Sequence, residues 1–270
     1  MHFKGMSVCE HLPMRHNRGV TIASRPLAGK TALVTGGARR IGRALTLRLA
    51  AAGVNIAFTW RASSAEAAET LKLLVASGTD ALALTCDLTL EASTEAAVAA
   101  TVAHFGGVDI LVNNAAVFES APLESITVEQ WDRVFATNVR GPFLAAKAAY
   151  SSLKERHGRI VNIGSLGGRI PFAGHAHYSA SKAALHMLTL TMAKAWAPEI
   201  SVNCVAPGWI ELEDAPVDEQ AQAAHFAAKT PMQRNGSAED VAEAVLHFCT
   251  CSQFITGQIL TVDGGLGLNS

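Results

Sequence analysis

Tyr178 and Lys182 stand four residues apart in the stretch His177-Tyr178-Ser179-Ala180-Ser181-Lys182, whose helical spacing puts both side chains on one face. A free phenol ionises near pH ~10 and is a poor acid or base at neutral pH. A neighbouring ammonium stabilises its anion. Lowering the phenol by about two to three units takes roughly 3–4 kcal/mol of differential interaction, within reach of a partly desolvated cation. A tyrosine so placed is a general acid for a carbonyl oxygen whose carbon is receiving hydride. Upstream, Gly164-Ser165 follows an apolar run and supplies a hydroxyl to hold that oxygen. Taken alone, the pair also fits a helix with a core tyrosine and a surface lysine.

Hydride chemistry needs a donor site, and Thr35-Gly36-Gly37-Ala38-Arg39-Arg40-Ile41-Gly42 has the character of one. It follows an apolar run and opens an alanine- and leucine-rich helical stretch. Glycines let the backbone turn sharply and approach a ligand, while the unpaired amides of a new helix favour a phosphate. The spacing departs from the dinucleotide fingerprint G-x-G-x-x-G, because Gly36 and Gly42 enclose five residues, Arg40 among them. The next strand candidate ends Phe58-Thr59-Trp60-Arg61, with no carboxylate to meet a ribose 2′-hydroxyl. Arg39, Arg40 and Arg61 can instead surround a 2′-phosphate, which favours NADP over NAD. Ser63 and Ser64 add hydroxyls or cap the following helix. In Cys86-Asp87-Leu88, Asp87 can accept from an adenine amino group or cap a turn, and the small residues of Asn114-Ala115-Ala116 let a cofactor lie against the backbone.

Apolar runs at 31–35, 54–59, 81–86, 109–113, 159–164, 200–206 and 258–262 alternate with helical stretches at 41–52, 63–77, 91–105, 128–155, 179–196 and 238–250. That pattern predicts an α/β fold: a doubly wound parallel sheet of about seven strands, with ligands beyond the carboxyl ends of its strands. Each motif above falls at such an end or on the helix after it. The chain has 270 residues, 49% of them apolar and 17% charged, with a net charge of −1, so neither a nucleic-acid surface nor a polybasic membrane patch is expected. Its five cysteines match no zinc or disulfide spacing, and no metal site is expected. No long apolar window or signal peptide is present. The expectation is a cytoplasmic protein with a flexible leader, residues 1–26, before a single catalytic domain, residues 27–270.

Residues 35–42, 113–116, 138–141, 165 and 178–182, in this order, resemble the short-chain dehydrogenase/reductase family over about Leu27 to Gly265. The resemblance implies a single Rossmann-type, NADP(H)-binding domain with an Asn-Ser-Tyr-Lys tetrad. Asn138 would steady a water-linked proton relay, Ser165 would polarise the substrate carbonyl and Tyr178 would be the acid and base. Lys182 would bind ribose hydroxyls and lower the phenol. Gly36, Arg39, Arg40, Ile41, Gly42, Arg61, Ser63, Asp87, Leu88, Asn114 and Ala115 would line the cofactor, with Pro207, Gly208 and Ile210 on the nicotinamide side. Leu212 replaces the family's usual threonine after that turn.

Arg40 and Arg61 are similar to the pattern of pteridine reductases, but Ser165 stands where that subgroup carries aspartate. Serine suits a carbonyl, so the expected reaction is reduction of a ketone or aldehyde, as in 3-oxoacyl carrier-protein reductases, or its reverse. Two alternatives are a pteridine or dihydrofolate-type reductase and a non-catalytic NADP-binding regulator, which would have no need of Tyr178 and Lys182. A carrier-protein substrate would favour a basic mouth, for which Lys154, Arg156 and Arg159 are candidates. Against it, Glu211, Glu213, Asp214, Asp218 and Glu219 read as an acidic lid. His175 and His177 fall in the loop before Tyr178, where they could orient a substrate. Expected partners are a small-molecule carbonyl substrate and, from the resemblance, further copies of the chain, as a dimer or tetramer through the long fourth and fifth helices.

Overall fold

The computed structural model describes residues 26–212 and 217–268. Seven strands, β1 (Thr31–Val34), β2 (Asn55–Trp60), β3 (Ala81–Thr85), β4 (Ile110–Asn113), β5 (Arg159–Ile163), β6 (Ser201–Pro207) and β7 (Ile259–Val262), form one sheet in the order β3-β2-β1-β4-β5-β6-β7. Every pairing is parallel. Because successive side chains on a strand face opposite ways, each central strand feeds two cores. Ala32 and Val34, Ile110 and Val112, and Val161 and Ile163 enter one core, while Leu33, Leu111 and Ile160 enter the other.

The helices α1 (Arg40–Ala51), α2 (Ser64–Ala76) and α8 (Ala238–Thr250) cover the first face through Leu45, Leu49, Leu74, Val245 and Phe248. On the second face, α3 (Glu91–Phe105), α5 (Gly141–Glu155) and α6 (Ala176–Trp196) pack through Val98, Ala145, Ala149, Leu153 and Met192. Two elements differ from the sequence expectation. The helix expected over 128–155 is α4 (Val128–Phe135), a π-helical turn (Ala136–Arg140) and α5. A further helix, α7 (Val217–Lys229), occupies part of the segment read as a lid.

At the amino ends of the strands, Asp109 is 3% exposed and accepts from Lys30 Nζ at 2.8 Å, the Thr31 amide at 2.9 Å and Arg156 Nη1 at 3.2 Å. Lys154 pairs with Glu199 at 3.5 Å, and Arg159 donates to the carbonyls of Phe248 and Cys251. The expected basic mouth is therefore corrected. These three cations bind structural acceptors at the end of the sheet opposite the carboxyl ends, where strand entry, not ligand access, determines their partners. The cysteines Cys86, Cys204, Cys249 and Cys251 are free thiols. Among the described residues no helix is long and apolar enough to cross a membrane, and no group of three or more potential metal ligands occurs. The leader, residues 1–25, lies outside the described residues.

Candidate functional site

The strand order reverses between β1 and β4, and the crevice at that switch point is where an open parallel sheet receives a ligand. The glycine turn that leaves β1 is bolted to β4 and β2. Thr35 Oγ1 accepts from the amides of Asn114 at 3.0 Å and Ala115 at 3.1 Å, Asn114 Nδ2 donates to the carbonyls of Thr35 and Gly36, and the Gly36 amide donates to Thr59 Oγ1 at 3.2 Å. Gly36 has φ 65°, and a Cβ there would sit 3.0 Å from the Ala115 Cα. At Gly42 a Cβ would overlap the Gly36 carbonyl oxygen. Arg40 takes φ 52°, a left-handed conformation that costs a residue with a side chain about 1–2 kcal/mol. Its chemistry, not its backbone preference, explains an arginine there.

Above this turn lies a cleft of about 390 Å³. Gly36, Arg39, Arg40, Ile41, Gly42, Arg61, Ser63, Asp87, Leu88, Asn114 and Ala115 all line it. Ser63 precedes α2 without a side-chain cap bond, so its hydroxyl is not used as a helix cap. Asp87 Oδ1 accepts from the amide and hydroxyl of Thr89, which hold the carboxyl below its usual range with help from the charge of Arg61. Half of Asp87 therefore builds a turn. Pro207, Gly208 and Ile210 are not on the cleft lining: Gly208 donates to Val262, and Ile210 bridges to Gly236. Leu212 does reach the lining, so an apolar contact replaces the hydroxyl expected there.

The second constellation meets at the exit of β5. Asn138, in the π turn, receives the Val117 amide on Oδ1 at 2.8 Å and donates from Nδ2 to the Val117 carbonyl at 2.9 Å and to Ser181 Oγ at 3.1 Å. Its side chain thus ties the loop after β4 to α6. Lys182, 3% exposed, donates from Nζ to the Ile163 carbonyl at 2.7 Å and lies 5.7 Å from the Tyr178 ring centre. Burial pulls the Lys182 ammonium down to about 8. Ser165 Oγ accepts from the Gly167 amide at 3.0 Å, and its hydroxyl favours ionisation of the Tyr178 phenol. The structure thus brings Asn138, Ser165, Tyr178 and Lys182 into one corner.

Two expectations change here. Burial raises the Tyr178 phenol above its ordinary value, and the Ser165 hydroxyl opposes this. His177 is in the first turn of α6 and 0% exposed, so it is a core residue and cannot meet a substrate, whereas His175 stacks on Phe118 with ring centres 4.5 Å apart. Phe118, 52% exposed, lines the cleft and meets Tyr178 edge-on at 4.8 Å. Neither Phe118 nor Thr137, another lining residue, was singled out from sequence. An aromatic residue directly after the small residues 114–117 was the available signal for the first; nothing marked the second. Trp209 stacks on Phe226 of α7 at 4.1 Å, holding that helix beside the exit of β6. Glu211 accepts from Asn235, while Glu213 and Asp214 and the side chains of Asp218 and Glu219 lie outside the described residues.

The family model described as enoyl-(acyl carrier protein) reductase matches residues 36–267. A 3-oxoacyl-[acyl-carrier-protein] reductase of Synechocystis is 35% identical over 244 residues, covering 89% of this chain and 98% of its own. The blue fluorescent protein from a metagenomic library, solved in complex with NADPH, superposes with a TM-score of 0.84 at 37% identity, over 89% of this chain and 99% of that one. A short chain dehydrogenase from Burkholderia cenocepacia, solved with NADP, gives a TM-score of 0.83 at 40% identity, again over 89% and 99%. With the sheet order, the glycine turn and the Ser-Tyr-Lys corner on one scaffold, this chain belongs to the short-chain dehydrogenase/reductase family.

Proposed function

We propose that the protein is an NADP(H)-dependent oxidoreductase that reduces a ketone or aldehyde to an alcohol, or runs the reverse. The observation that carries this reading is the convergence of Tyr178, Ser165 and Lys182 beside a cleft whose rim presents Arg39, Arg40 and Arg61. The residues fit the cofactor. The bare backbone at Gly36 lets the turn pack tightly on Ala115 beside the cleft, and guanidinium groups match a 2′-phosphate. Relatives solved with NADPH and NADP support the same choice.

When bound, NADPH supplies the hydride. Tyr178 donates its phenolic proton to the substrate oxygen. Ser165, whose oxygen is fixed by the Gly167 amide, turns its O–H to that same oxygen and stabilises the charge developing there. Lys182 and Asn138 hold the ribose side and the proton path, and the Val117 and Ser181 contacts keep Asn138 in place. A second reading, reduction of a pterin-like ring, draws on Arg40 and on the exposed Phe118 face, which offers a flat ring a stacking surface.

The test is NADPH oxidation against ketones, acyl thioesters, quinones and pterins, with wild type and Tyr178→Phe. The variant keeps the ring and should bind NADPH normally while losing at least ~10²-fold in turnover. Turnover near wild type in that variant would remove the assigned acid, and activity confined to pterins would replace the ketone reading by the second one.

A further inference from the structure

The exit of β5 is gripped by successive turns of α6. Thr189 Oγ1 accepts from Asn162 Nδ2 at 2.9 Å, Lys182 donates to the Ile163 carbonyl at 2.7 Å, and His186 Nε2 accepts from the Ser165 amide at 3.5 Å. The first of these contacts lies in the core and the second belongs to a residue already assigned. His186 is assigned nothing. It is 5% exposed, one turn beyond Lys182 on the same helix. The backbone of residues 164–168 closes around its ring. A Cβ at Gly164 would overlap His186 Nε2, and one at Gly168 would lie 2.7 Å from its Cε1. Two glycines are thus fitted to one imidazole, and the amide at the centre of the wrap is that of Ser165.

We infer that His186 is a positioning residue: its Nε2 lone pair receives the Ser165 amide and so fixes the direction in which the Ser165 hydroxyl meets the substrate oxygen. The inference rests on the reading of Ser165 as the group that holds that oxygen. The backbone amide held by His186 at one side and the Gly167 amide held on Oγ at the other fix where the serine oxygen sits, leaving its O–H to reach the substrate oxygen. The contact needs an unprotonated Nε2. Burial, then the charges of Lys182 and Arg169, hold the imidazole down to about 4, so the acceptor is present throughout the neutral range. An aliphatic side chain of the same size would fill the space and leave the amide without its partner.

Two measurements test this. Nitrogen-15 NMR of histidine-labelled wild type is expected to show His186 as the neutral Nδ1–H tautomer between about pH 5 and 8; an Nε2–H tautomer overturns the inference whatever the variants do. Kinetics then use whichever of acetoacetyl-CoA, ethyl acetoacetate and 9,10-phenanthrenequinone wild type reduces fastest. His186→Leu is expected to lower kcat at least ~10-fold with KM and the NADPH Kd within about 2-fold, and His186→Gln, which returns an acceptor near Nε2, to recover to within about 3-fold of wild type. Equal losses in both variants would reduce His186 to packing, and wild-type rates in both would remove any role. Ser165→Ala, run alongside, separates the two levels. If it loses turnover while the His186 variants do not, the positioning role alone fails; if it turns over at the wild-type rate, the reading of Ser165 fails and takes the inference with it.

Discussion

Replacing Lys182 with methionine is expected to stabilise the folded protein while ending its chemistry. The amine is 3% exposed, and burial lowers it from 10.5 to about 8. At pH 7 the ammonium predominates in the folded and unfolded states alike, so burying it costs roughly 3 kcal/mol. Methionine has a similar stem and no charge. It also leaves the Ile163 carbonyl without its 2.7 Å donor, which returns about 1–2 kcal/mol. The net gain is about 1–2 kcal/mol, a rise in Tm of about 2–6 °C for a domain of this size. The pH dependence has a definite sign. The folded state releases this proton near pH 8 while the unfolded chain keeps it to 10.5, so the unfolded state binds more protons between these values and stability rises with pH. From pH 7 to 9 this lysine adds about 1.3 kcal/mol to the wild type, and the variant lacks that contribution. Cys204 and Cys249, pushed by burial from 9.0 up to about 12, act in the opposite sense from about pH 8 upward, but in both proteins, so the difference between wild type and variant reads the lysine. Urea unfolding of both proteins without nucleotide at pH 7 and pH 9 measures all four stabilities. A variant less stable than wild type at pH 7, or one whose stability changes from pH 7 to 9 as the wild type's does, refutes the reasoning.

Arg61→Ala should weaken NADPH by roughly 1–3 kcal/mol and leave NADH nearly unchanged, as read by nucleotide titration; equal losses would place the 2′-phosphate elsewhere. Gly42→Ala forces a methyl group into the Gly36 carbonyl and to 2.7 Å from Asn114 Nδ2, so it should destabilise by about 1–3 kcal/mol, and NADPH affinity should fall at least ~10-fold; a neutral variant would mean that the turn opens freely. Asp109→Ala strips Lys30, Thr31 and Arg156 of a shared buried acceptor and should cost about 3–5 kcal/mol in urea unfolding, with kcat unchanged at temperatures where the variant stays folded.

The strands were legible because a parallel sheet covered on both faces needs unbroken apolar runs, and Thr31–Val34 and Ile110–Asn113 are nearly that. Tyr178 and Lys182 were legible because their spacing is a helix turn, and the cleft residues because each follows a strand end. Charge alone did not reveal which end of the sheet Lys154, Arg156 and Arg159 occupy; that depends on where β5 begins. His177 looked like a loop residue because the start of α6 at Ala176 carries no side-chain cap to announce it. The contact of His186 with Ser165 spans 21 residues, and only the packing of α6 on β5 creates it.

The π turn at Ala136–Arg140 shifts the reading frame of the helix that contains it. Each added residue rotates a helix by about 100°, so the faces of α4 and α5 are out of phase. A periodicity fitted across residues 128–155 as a single helix must misplace one half. The same offset makes this helix tolerant of substitution but not of changes in length. Deleting one residue from the π turn would restore regular pairing, swing Trp131 and the rest of α4 about 100° against α5, and pull Asn138 from Val117. The corner at Tyr178 thus depends on a count of residues as much as on their identities.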